Sequence, residues 1–145
     1  MNAEFINALA EALLPGDAHW PSGGSIDLAT MVELISALVP GHTESMSELE
    51  RVVGSAFIDS SPPQRQTVLE AVEHEHPDLF GVGRLLVFDA YYRHARVVEA
   101  MADRCGYRGD PPQPAGFPVG DFDPAVLSTV RSMARRWRDD TTPAA

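Results

Sequence analysis

Four adjacent potential metal ligands, Glu73-His74-Glu75-His76, form the densest chemical cluster in this 145-residue chain. Imidazole nitrogens and carboxylate oxygens suit zinc, but only when they converge on one point. The four close a stretch of helical periodicity, where successive side chains diverge by about 100°. At most one or two can then face a single ion, and the HExxH spacing that places two imidazoles on one helical face does not occur. A solvated helix end is the expected environment.

A second constellation sits in the apolar run that follows. Asp89 lies among hydrophobic residues, with His94 just beyond Tyr91-Tyr92. A buried carboxylic acid with an imidazole or phenol partner is what general acid–base chemistry requires. This defines one reading of the chain, a stand-alone helical enzyme using Asp89, His94 and Tyr91 or Tyr92. The competing reading is structural, since Arg84, Arg93 and Arg96 are all close enough in sequence to neutralise the carboxylate. Cys105, the only cysteine, cannot form an internal disulfide. Its place beside Gly106 at a helix end suggests a small, partly buried structural side chain rather than a nucleophile.

Other chemistries are excluded by what the sequence omits. There is no lysine, hence no Schiff base, no lysine phosphate clamp and no Ser-Lys dyad. Gly81-Val82-Gly83 lies within helical periodicity, and neither GxGxxG, a P-loop, GxSxG nor CxxCH is present. No catalytic, cofactor or metal site is therefore assigned to this chain.

Two segments suit binding instead. In GYRGDPPQPAGFPVGDFDP, Gly106 to Pro124, the aromatics Tyr107, Phe117 and Phe122 alternate with Pro111, Pro112, Pro114, Pro118 and Pro124. Proline lowers the entropy lost on ordering and aromatics supply burial, so such a strap either wraps a partner or packs across its own bundle. His19-Trp20-Pro21, in the Gly/Ser-rich stretch GDAHWPSGGS, is either a core plug or an interface anchor. The assigned partner-binding residues are Trp20, Tyr107, Pro111, Pro112, Pro114, Phe117 and Phe122.

The elements that must position these residues are all helical. Phe5, Leu9 and Leu13 recur at helical steps until Pro15-Gly16. Ser25 or Asp27 can cap a second helix carrying Leu28, Met31, Val32, Ile35 and Leu38, ended by Pro40-Gly41. A third is expected from Glu44 to about Asp59 despite Gly54, and a fourth opens at Ser61-Pro62-Pro63. Asp78 is the expected cap of a fifth, Leu79 to His94, with Phe80, Leu86, Val87 and Tyr91 facing the central core. Its two glycines imply close helix packing. A short helix runs from Ala95 to Arg104, and after the strap Asp123-Pro124 opens a last one with Val126, Leu127 and Val130. The pattern predicts an all-α fold, an irregular bundle of about six or seven helices. It forms a single domain over 1–138, with an extended strap at 106–124 and a disordered tail at 139–145.

Composition agrees with a soluble binding role. With 21 acidic against 11 basic residues, the net charge is −10, which repels phosphate and anionic lipid. The N-terminus has no positive region, and no apolar run reaches the roughly 20 residues that span a bilayer. No nucleic acid and no membrane insertion are expected, and the chain as given reads as cytoplasmic.

ALLPGDAHWPS, then FDAYYRHARVVEAM, then GYRGDPPQPAGF, in that order from about Leu13 to Phe117, or to Val130 with the FDPAVL helix, give a pattern that resembles the gluconate 2-dehydrogenase subunit 3 family. The resemblance implies a non-catalytic small subunit that stabilises or matures a flavin-dependent oxidoreductase of the glucose–methanol–choline type. FAD and the catalytic base would belong to that larger partner. Family members often travel with a twin-arginine signal on one subunit, so export on a partner's signal is the alternative to a cytoplasmic complex. At His94-Ala95 the chain departs from the expected His-Pro, which predicts a less sharp helix break there. The remaining alternative is a helical adaptor with no flavoprotein partner.

Overall fold

The computed structural model describes residues 2–106, 123–128 and 132, and the chain falls into two compact units, Met1–Gly109 and Asp110–Ala145. All regular structure among the described residues is helical. In the first unit α1 spans Ala3–Leu13, α2 Ala29–Leu38, α3 His42–Val53, α4 Pro62–Glu75, α5 Pro77–Arg93 and α6 Ala95–Cys105. None of these helices is long and apolar enough to cross a membrane.

α5 is the axis of this unit, packing against every other α-helix. Phe80, Leu86, Val87 and Tyr91 are buried as expected, and they meet Phe5, Leu9, Leu28, Val32, Met46, Leu49, Phe57 and Val97 in one core. Full burial of each such side chain stabilises by about 1.5–3 kcal/mol. Of the two glycines in α5, only Gly83 is required for close packing. A Cβ there would come within 2.4 Å of Leu49 Cδ2, whereas one at Gly81 meets open space.

Local chemistry sets the helix ends. Asn2 accepts from the Glu4 N–H at 2.9 Å to open α1. Ser61 opens α4 with Pro62 and Pro63 in the first turn, its backbone N–H donating to Gln64 Oε1 at 2.9 Å. Asp27 receives the Ala29 N–H at the start of α2.

Several expectations are corrected. The third helix does not reach Asp59, because Gly54, at φ +81°, ends it, and Phe57 enters the core from a separate 3₁₀ turn, Ser55–Phe57. α5 is not capped by Asp78. Pro77 occupies its first position, where a missing N–H costs nothing, and His76 flanks it, leaving Asp78 in the first turn. The break after α5 is sharp even without proline, since His94 leaves helical geometry at ψ 134° and its Nδ1 accepts the Arg96 N–H at 3.3 Å to start α6.

The second unit shows the expected opening near Asp123, whose Oδ1 accepts from the Ala125 N–H at 2.9 Å over a 3₁₀ turn, Pro124–Leu127. The strap residues 107–122 and the tail 139–145 lie outside the described residues.

Candidate functional site

Between α1 and α2 lies a well-tied loop from Leu14 to Ser22 that closes in a 3₁₀ turn, Gly23–Ser25. It leaves α1 through Pro15-Gly16, and Gly16 takes φ +73° with Ser22 N only 2.6 Å from where a Cβ would sit. Only glycine fits that turn. Asp17 then folds the chain over itself: its Oδ1 accepts the N–H groups of His19 at 2.7 Å and Trp20 at 2.9 Å, and its own N–H donates to the Trp20 carbonyl at 3.0 Å. Those N–H donors, His19 first and Trp20 second, hold the Asp17 carboxyl below its ordinary value.

The far side of the loop is pinned to two helices. The Tyr91 hydroxyl, from the middle of the core, donates to the Pro21 carbonyl at 2.7 Å. The Gly23 N–H donates to the Leu14 carbonyl at 2.7 Å, and the Gly24 N–H to Glu11 Oε2 at 3.0 Å. Burial is the main reason that the Tyr91 phenol is held above its ordinary value, with Tyr92 and the negative charge of Asp17 adding to it.

Trp20 is the product of this construction. Half-buried, it packs against the core and lines two open clefts. The first, about 490 Å³, lies between the loop and α6, with Asp17, His19, Arg96, Glu99, Asp103 and Arg104 among its lining. Arg104 stands 6.0 Å from the Trp20 ring centroid, within cation–π range. The second, about 290 Å³, is mainly apolar and lined by Leu13, Leu14, Pro15, Trp20, Tyr91 and Tyr92, with Asp17 the charged member. Trp20 is thus both core plug and surface feature, the two readings its sequence context allowed.

The other assigned binding residues, Tyr107, Pro111, Pro112, Pro114, Phe117 and Phe122, lie outside the described residues. Asp89 and His94 are not brought together. Arg93 Nε bonds the Asp89 carboxylate at 2.6 Å, which raises the Arg93 pKa, while His94 is the cap of α6. Tyr91 is occupied by Pro21, and Tyr92 meets Tyr91 edge-on at 5.3 Å. The Glu73–His76 side chains are exposed, with Glu73 3.7 Å from Arg84. Among the described residues no cluster of His, Cys, Asp or Glu is arranged to hold a metal ion. Cys105 is exposed rather than partly buried, its thiol directed at the Met101 carbonyl at 3.0 Å.

Sequence reasoning missed Asp17 and the Tyr91 hydroxyl as the supports of the loop. Asp17 had a readable signal, because an aspartate directly after Pro-Gly commonly accepts N–H groups two and three residues on. The 70-residue tie from Tyr91 to Pro21 had none. Against known proteins the chain matches no family model, no curated protein and no solved structure.

Proposed function

We propose that this chain is a non-catalytic accessory subunit, seated on a larger flavin-dependent oxidoreductase of the glucose–methanol–choline type through the Trp20 loop. The observation that supports the docking role is a partly buried tryptophan held between two clefts by a loop whose backbone is already tied to α1 and α5. An aromatic anchor ordered before binding loses little entropy on association, and tryptophan is among the residues that dominate interface energy. The flavoprotein as partner follows from the resemblance of ALLPGDAHWPS, FDAYYRHARVVEAM and GYRGDPPQPAGF to the small-subunit family. The structural roles of Asp89 and His94 weigh against the stand-alone enzyme.

Co-expression of a flavoprotein encoded beside this chain tests the reading. The wild-type chain is expected to co-purify with it and to raise its solubility or flavin content, and Trp20→Ala to reduce both effects. No co-purification together with unchanged flavin content defeats the proposal.

A further inference from the structure

We draw no further inference here: the strongest candidate, the exposed apolar face of α2 and its end at Leu34, Leu38 and Val39, carries nothing because nothing in the structure shows what covers it.

Discussion

Asp17-Ala18-His19-Trp20 and Glu73-His74-Glu75-His76 are both short polar stretches mixing carboxylate and imidazole, yet they end as opposites. The first is folded around one carboxylate, and the residues that follow it are tied to α1 by the Gly24 N–H on Glu11 Oε2 and to α5 by the Tyr91 hydroxyl on the Pro21 carbonyl. The second finishes α4 in solvent, its side chains fanned around the helix, with one long ion pair from Glu73. Density of reactive residue types does not make a site. What distinguishes the loop is that its backbone is anchored on both sides, so Trp20 is presented in one place.

The comparison breaks most visibly if the anchoring fails. A Cβ at Gly23 would sit 2.4 Å from the Ala10 carbonyl oxygen, which belongs to the backbone of α1 and cannot easily yield. Gly23→Ala is expected to cost on the order of 3 kcal/mol, against less than about 0.5 kcal/mol for Glu75→Ala. Urea unfolding of the two variants measures the contrast, and equal losses would show the loop to be as peripheral as the helix end.

Tyr91→Phe should cost about 1 kcal/mol, the net value of one hydrogen bond. It also has a pH signature. Because the folded phenol is held above its ordinary value, its contribution is complete below about pH 10 and is lost as pH rises through the folded pKa. The wild type should therefore lose stability in alkali, and the phenylalanine variant should lose less over the same window.

Asp17 acts at the other end of the scale, with a smaller effect because the residue is exposed. Its folded pKa is depressed, so its contribution is present above the ordinary carboxylate value of about 3.9 and disappears as pH falls through the lower folded value. The amide resonances of His19 and Trp20 should report that transition, and Asp17→Asn should flatten it.

The smallest expected effect sharpens the comparison from the helix-end side. Excess zinc should leave the thermal midpoint unchanged, since a ligand stabilises only by binding the folded form preferentially. A zinc-dependent rise removed by His74→Ala would turn Glu73–His76 into a site after all.

Much of the architecture was legible before any coordinates. Helical spacing of Phe5, Leu9, Val32, Met46, Leu49, Leu86 and Val87 named core positions that are all buried. Errors gathered at boundaries, where Gly54 at positive φ and Pro77 at a helix start outweighed the apolar pattern. The site was less legible. Trp20 stood out by its type and setting, but neither its clefts nor the exposure of Cys105 could be read from neighbours in the chain.

By itself, then, the sequence determined the presence of the six described helices, most of their apolar positions though not Leu38, which is exposed, the breaks at proline and glycine, and the absence of cofactor motifs. Each of these follows from interactions within a few residues. Helical spacing also pairs Asp89 with Arg93, four residues on in α5; the tertiary structure alone decided that Gly83 and not Gly81 admits a neighbouring helix, and that Tyr91 reaches Pro21 to fix the Trp20 loop. The physical reason is shared: both depend on residues far apart in the chain meeting when the helices pack, which no local pattern encodes.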